Sequence, residues 1–270
     1  MPSQPPTSTA MAYEPILVRG DDAGIATLTL NRPRQYNALS DALLTELQRA
    51  LDSIGPDSSI RVVVLAGAGP AFCAGHDLKE MRSRPGQSYY RDLFARCSRM
   101  MMTIANLPQP VIARVHGIAA AAGCQLVASC DLAVASTAAR FATSGIKVGL
   151  FCSTPAVPLS RNMQPKQAFE MLMTGDFIDA ATAERHGLVN HVVPPEALDG
   201  AVADLARRIA AKSPVAVATG KRMFYRQLAM DVDKAYEFAS ETMACNMMAE
   251  DAAEGIDAFI AKRPPVWKGR

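Results

Sequence analysis

Two glycine-rich stretches carry the plainest chemical opportunity in this chain of 270 residues: GAGPAFCAGHDL at 67–78 and HGIAAAAGCQL at 116–126. Each follows an apolar run and leads into a helix-forming segment, which leaves backbone N–H groups free at a helix start. The small residues beside them let a ligand carbonyl approach the backbone. Two such amides converging on one carbonyl would form an oxyanion hole; plain strand-to-helix turns are the other reading of the same residues. Neither stretch is a dinucleotide fingerprint, because no GxGxxG runs in register into a helix, and neither ends in the GK[ST] of a phosphate-binding loop.

Side chains able to move protons are scarce around these turns. Between Gly75 and Asp131 the only carboxylates are Asp77, Glu80 and Asp92, and none occurs from Leu132 to Phe169. Asp77 reads as a helix N-cap, with Glu80 as its capping-box partner three residues on. The six cysteines, Cys73, Cys97, Cys124, Cys130, Cys152 and Cys245, form no CxxC pair, and no histidine stands at zinc-ligand spacing. No metal site is expected. Cys152 and His76 would make a nucleophile pair only if they met in space, and most buried thiols are inert. His116, His186 and His191 read as structural or solvated.

Lysine and arginine total 28 against 26 acidic residues, a formal charge of +2, so no nucleic-acid partner is expected. No apolar run reaches the roughly 18 residues of a membrane-spanning helix. A chain long enough for a good core should keep its thiols reduced. With Arg19 as its first basic residue, it shows no basic leader, and a cytoplasmic location is expected.

The elements that must hold the two turns are legible as periodicities. Residues 14–19 and 24–30 read as strands around a turn at Gly20–Asp21–Asp22. Ser40 caps a predicted helix over 41–54 whose stripe is Leu43, Leu44, Leu47, Leu51 and Ile54. IRVVVLA at 60–66 is apolar apart from Arg61, as a strand buried on both faces would be. Helical spacing resumes at 89–105, VIARV at 111–115 is a strand, and a short helix over 122–129 leads to the strand DLAVAS. From about residue 163 the pattern is helical, over 165–173, 179–186, 196–211, 214–228 and 233–260, with a short extended stretch at 188–194. The fold class is α/β. A disordered Pro/Ser/Thr-rich lead-in occupies 1–12, an α/β core 13–195 and a helical region 196–270.

Over about residues 14–267 the chain resembles the crotonase superfamily, the enoyl-CoA hydratase/isomerase family. The matching pieces are NRPRQYNAL, VVVLAGAGPAFCAGHDLKE, PVIARVHGIAAAAGCQLVASCDLAVAS, ARFATSGIKVGL and the tail EGIDAFIAKRPP. Within the family it looks most like the hydratase-domain-containing proteins that carry GLFCSTP, here at 149–155. The resemblance implies a ClpP-like crotonase fold of stacked ββα units, two roughly perpendicular sheets and a C-terminal helical region used for trimers or paired trimers. It implies acyl-CoA thioesters as ligands and no separate cofactor. The amides of His76 and Ala122 would hold the thioester carbonyl. Ala74 would lie by the adenine end, Arg34 near the phosphates, and Phe259 with Lys262 along CoA at a subunit edge.

The same resemblance exposes departures. The two glutamates of the hydratases fall on Gln125 and Gly145. Gln is no carboxylate base, although its amide can orient water, and glycine offers no side chain. The GHD at 75–77 is similar to a methylmalonyl-CoA decarboxylase branch, but the tyrosine expected there falls on Cys152. Alanines stand at 121 and 122 where many relatives have glycines, and the second amide survives if the local φ is negative. Whether the protein is an enzyme is left open: weak or atypical hydratase chemistry, malonyl-type decarboxylation and thioester binding without catalysis all fit.

Overall fold

The computed structural model describes residues 15–270; the lead-in expected over 1–12 lies outside them. β1 (Leu17–Asp22) and β2 (Ile25–Leu30) form an antiparallel hairpin in which Asp22 pairs with Ile25. Its two-residue turn is Ala23–Gly24, with φ of 49° and 79°. Positive φ at both central residues suits the twist of a tight hairpin. The turn expected at Gly20–Asp22 is therefore corrected: those residues are paired within β1.

The linker after β2 makes a 3-10 turn at Pro33–Gln35 and then passes through Tyr36 and Asn37, both at positive φ. Asn37 is fully buried. Its Oδ1 accepts from the Arg32 amide at 2.8 Å, and its Nδ2 donates to the carbonyls of Ala68 and Ala71 at 2.8 and 2.7 Å. One side chain thus ties the linker to the first glycine-rich turn. Ser40 then caps α1 (Asp41–Ile54) by accepting from the Leu43 amide, and the five predicted apolar residues are buried.

β3 (Val62–Gly67) is buried along its whole length. Val63 and Leu65 join the main core, whereas Val62 and Val64 pack with Leu198, Val202 and Ala206 on the opposite face, which explains the unbroken apolar run. β4 (Ala71–Cys73), α2 (Leu78–Ser83) and α3 (Gln87–Asn106) follow. Next come β5 (Val111–Val115), β6 (Ile118–Ala120) and α4 (Ala122–Ser129), then β7 (Leu132–Ser136), β8 (Arg140–Ala142), α5 (Ser153–Asn162) and α6 (Pro165–Thr174). β9 (Ile178–Asp179), α7 (Ala180–Arg185) and β10 (His191–Val193) complete the sheets, and α8 (Leu198–Ala210), α9 (Pro214–Gln227), α10 (Val232–Met247) and α11 (Glu250–Ile260) close the chain.

The strands form a six-stranded sheet in the order β1-β2-β3-β5-β7-β10 and a four-stranded sheet in the order β4-β6-β8-β9. From β3 onward, a strand of the large sheet is followed three times by a strand of the small sheet and then by helix. This is the ββα stack of the crotonase fold. The strands β4, β6 and β8 have three residues each, too few to show a period. α5 carries Pro158 inside it, which masks its pattern. The helix expected over 233–260 is two helices, broken at Met248–Ala249. No glycine or proline marks the break. The start of α11 is instead fixed by Asp251, which is buried and accepts from Ser213 Oγ at 2.6 Å and from the Lys268 amide at 2.7 Å.

Candidate active site

The two glycine-rich turns end side by side. β4 delivers Ala74, Gly75 and His76; β6 delivers Ala121 and the start of α4 at Ala122. The Leu39 amide donates to the Gly75 carbonyl at 2.7 Å and the Asp77 amide donates to the Leu39 carbonyl at 3.1 Å. The His76 amide lies between these bonds and has no acceptor among the described residues. Ala122 is the first residue of α4, so its N–H stands outside the helical ladder. Two glycines permit the approach. A first side-chain carbon on Gly75 would lie 3.0 Å from Ala121 Cβ and 3.3 Å from the Ala122 nitrogen, and one on Gly123 would strike the Cys73 carbonyl.

The condition on torsions divides between the two alanines. Ala122 is helical. Ala121, just before it, has φ 49° and ψ −117°, a conformation that costs an L-residue about 1–3 kcal/mol. Its own amide donates to the Ala142 carbonyl at 2.9 Å, which helps hold the turn.

Both turns border a cavity of about 260 Å³, whose wall includes Ala74, His76, Ala121, Ala122, Gly145 and Cys152. A more open hollow of about 620 Å³ between α1 and α3 touches none of these residues. Apolar side chains complete the cavity: Leu78 and Met81 from α2, Phe94 from α3, and Val148, Leu150 and Phe151 from the segment before α5. Sequence reasoning passed over these six. Only Leu150 and Phe151, beside Cys152 in GLFCSTP, carried a signal.

His76 sets its ring against Phe94, with centroids 5.5 Å apart and planes at 72°. Both ring nitrogens are buried without a partner among the described residues. Burial pushes its pKa down to about 4, against weaker opposition from the Leu39 backbone and the Asp41 charge. The ring is therefore neutral at pH 7. Since neither nitrogen has a partner, His76 and Cys152 form no hydrogen-bonded pair. Burial also raises the pKa of the Cys152 thiol, opposed by the Gly145 amide, the reverse of nucleophile activation.

Among the described residues, no carboxylate lines the cavity. Asp77 caps α2 through the Glu80 amide and pairs with Arg32 at 3.1 Å. Burial raises its pKa, but those two partners outweigh it and leave it below the ordinary range. Glu80 does not return to the Asp77 amide as a capping box would. Its Oε2 accepts from the Asp41 amide at 2.9 Å instead, because the Asp77 amide is already committed to Leu39.

Gln125 is buried and is not among the residues of the cavity wall, and its Oε1 has no partner among the described residues. Of α4, the helix start at Ala122 borders the cavity. Gly145 is in the wall, yet its position has no room for a side chain. A first carbon there would lie 2.5 Å from the Leu150 carbonyl oxygen and 2.7 Å from Cys152 Sγ. Arg34, Phe259 and Lys262 are exposed and none reaches the cavity. Arg34 sits on the 3-10 turn, and the other two lie at the end of α11.

The model of the enoyl-CoA hydratase/isomerase family matches residues 20–270. The chain belongs to that family. A solved structure described as an enoyl-CoA hydratase from Mycobacterium smegmatis is 58% identical, with a TM-score of 0.93 over 94% of this chain and 99% of that one. The enoyl-CoA hydratase domain-containing protein 3, mitochondrial, of Rattus norvegicus is 48% identical over 90% of this chain and 81% of its own. The crystal structure of its human counterpart is 45% identical, with a TM-score of 0.92 over 94% of this chain and all of that one. These family members overturn the expected cytoplasmic location: the rat protein and its mouse, Xenopus laevis, human and Danio rerio counterparts are all named mitochondrial. Reduced thiols report a reducing compartment and do not distinguish one such compartment from another.

Proposed function

We propose that the protein binds acyl-CoA thioesters, seats the thioester carbonyl on the amides of His76 and Ala122, and hydrates enoyl thioesters poorly. The observation that supports this reading is that His76 and Ala122, at the ends of adjacent turns, both line a cavity in whose wall no carboxylate stands among the described residues, and that the His76 amide has no acceptor among them. Two aligned amides stabilise the negative charge that gathers on the carbonyl oxygen as an enolate forms, and removing one such donor typically costs about 10²–10³-fold in rate. Hydration also needs a base for water and an acid for C2. Family resemblance assigns both tasks to positions 125 and 145. A neutral amide outside the wall and a glycine with no room for a side chain supply neither.

The names of the relatives, which carry enoyl-CoA, support the ligand class and not the rate. Malonyl-type decarboxylation draws no support from the wall, which holds no lysine or arginine and has a neutral His76. The contacts implied for Arg34, Phe259 and Lys262 require CoA to extend beyond this cavity, with the last two reaching it at the edge of a second copy.

Calorimetry with CoA and acetyl-CoA tests the reading. Saturable binding of acetyl-CoA, tighter than that of CoA, is expected; absence of saturable heat with any acyl-CoA contradicts it. Ala122→Pro probes the amide itself. Proline is tolerated at the first helical position and lacks the N–H, so the variant should lose the preference for thioester over CoA.

A further inference from the structure

A donor aimed at a reacting carbonyl must be held within about 0.5 Å of its working place. The small sheet alone gives the His76 amide little such support. β4 has three residues and stands at the edge of that sheet, paired with β6 on one side. Gly75, at φ 99°, then turns the chain just before His76.

The missing support comes from the linker between β2 and α1. The Ala74 amide donates to the Tyr36 carbonyl at 3.0 Å, the Leu39 amide to the Gly75 carbonyl at 2.7 Å, and the Asp77 amide to the Leu39 carbonyl at 3.1 Å. The linker therefore grips the chain on both sides of His76. Asn37 in turn fixes the linker. Its Oδ1 closes the linker on itself through the Arg32 amide, and its Nδ2 holds the carbonyls of Ala68 and of Ala71, the first residue of β4.

Few residue types could do this. Asn37 is fully buried at φ 55°, a left-handed conformation that asparagine visits more readily than most. Aspartate would keep the acceptor and lose both donors. Gly67 leaves the room: a first side-chain carbon there would lie 3.0 Å from Asn37 Nδ2. Arg32 adds a second brace, donating to the Ala38 carbonyl at 2.5 Å and to Asp77 Oδ2 at 3.1 Å. Neither Asn37 nor Arg32 is among the residues of the cavity wall.

We infer that Asn37 is a positioning residue for the thioester carbonyl: by locking the linker against β4 it sets the aim of the His76 amide. The inference rests on the proposed seating of that carbonyl on His76 and Ala122.

The test uses the full chain, with infrared difference spectra of bound [1-¹³C]acetyl-CoA and calorimetry with CoA and acetyl-CoA. Hydrogen bonds from the two amides weaken the C=O bond, so the wild-type carbonyl band should lie below that of free acetyl-CoA. Asn37→Gly keeps a residue at ease at positive φ and removes the three side-chain bonds. In that variant the band should move back toward the free position. Its preference for acetyl-CoA over CoA should fall about fivefold, the net worth of one hydrogen bond, while its affinity for CoA is unchanged. Arg32→Met gives the same readouts if the glycine variant does not fold. A folded variant with the wild-type band and preference, or one that loses CoA and acetyl-CoA affinity in parallel, would overturn the inference and leave the proposed function standing. Failure of both variants to fold would make the linker a requirement of the fold alone and overturn it too. Wild-type protein that binds acetyl-CoA no tighter than CoA, or binds neither, would overturn the proposed function itself, and this inference with it.

Discussion

Ala121 holds a backbone conformation suited to glycine, and Gly145 holds a place that admits only glycine. Exchanging the residue type at each tests these two statements in opposite directions. Ala121→Gly should relieve strain of about 1–3 kcal/mol, partly offset by about 0.5–1 kcal/mol of glycine entropy. A net gain of about 1 kcal/mol in a denaturant melt is expected, and a loss would show that the turn is not strained. Gly145→Ala forces a carbon against the Leu150 carbonyl oxygen and Cys152 Sγ; overpacking of this kind costs about 1–3 kcal/mol. A Gly145→Ala protein as stable as wild type would mean that the 149–152 segment yields freely, and a glutamate there would again be conceivable. His76 adds a pH signature. Its folded pKa of about 4 lies below the ordinary 6.5, so between those values the unfolded chain binds more protons. Stability should therefore fall as pH drops through this window, by up to about 3 kcal/mol from this group. His76→Leu should flatten that part of a stability–pH curve; an unchanged slope would show that the ring is not held neutral.

Elements with a full stripe or a full strand were legible. α1 announced itself through Ser40 and five apolar residues, and β3 through its unbroken run, because burial on one face or on both leaves a period in the sequence. The small sheet did not, since three residues define no period. The cavity wall was half legible for a related reason. Backbone amides at the ends of β4 and β6 follow from glycines and alanines, but the apolar side chains that close the space come from α2, α3 and the stretch before α5, brought together only by folding. The C-terminal helices show the same limit. Neither α9 nor α10 sinks a whole residue into the chain. α9 is held through Lys221, whose Nζ donates to Asp131 at 2.7 Å and to the carbonyls of Ile104 and Gln109 at 2.8 and 3.0 Å. Burial lowers the pKa of Lys221, while the Asp131 carboxylate opposes the shift. Asp131 Oδ2 accepts from the Val111 amide as well, so this pair clamps α9 to β5. Lys221→Met leaves that carboxylate buried without its cation and should cost about 3–5 kcal/mol in chemical denaturation; a loss below about 1 kcal/mol would contradict the clamp.

At the scale of the whole molecule, Val232, Tyr236, Met243, Met248, Phe259 and Ile260 leave a broad apolar surface open on α10, α11 and their junction. A surface of that kind calls for a partner, and a second copy of the chain is the proposed one. Light scattering should give three or six times the 28.8 kDa of the chain; a monomer at micromolar concentration would contradict the proposal. The resemblance implies that such an assembly brings Phe259 and Lys262 to a neighbouring site, and any carboxylate supplied by a second copy would enter there. Hydration in the assembled protein is for that reason the decisive quantity. Under the proposed reading two proton-transfer groups are missing, each worth about 10²–10⁴-fold, and the protein should bind thioesters and scarcely hydrate them. Steady-state turnover of crotonyl-CoA by the purified assembly, measured alongside acetyl-CoA binding, tests this most directly. Saturable binding with turnover below about 1 s⁻¹ is expected, whereas turnover near 10²–10³ s⁻¹, at the fast end of the usual enzyme range of about 1–10³ s⁻¹, would contradict the proposed function.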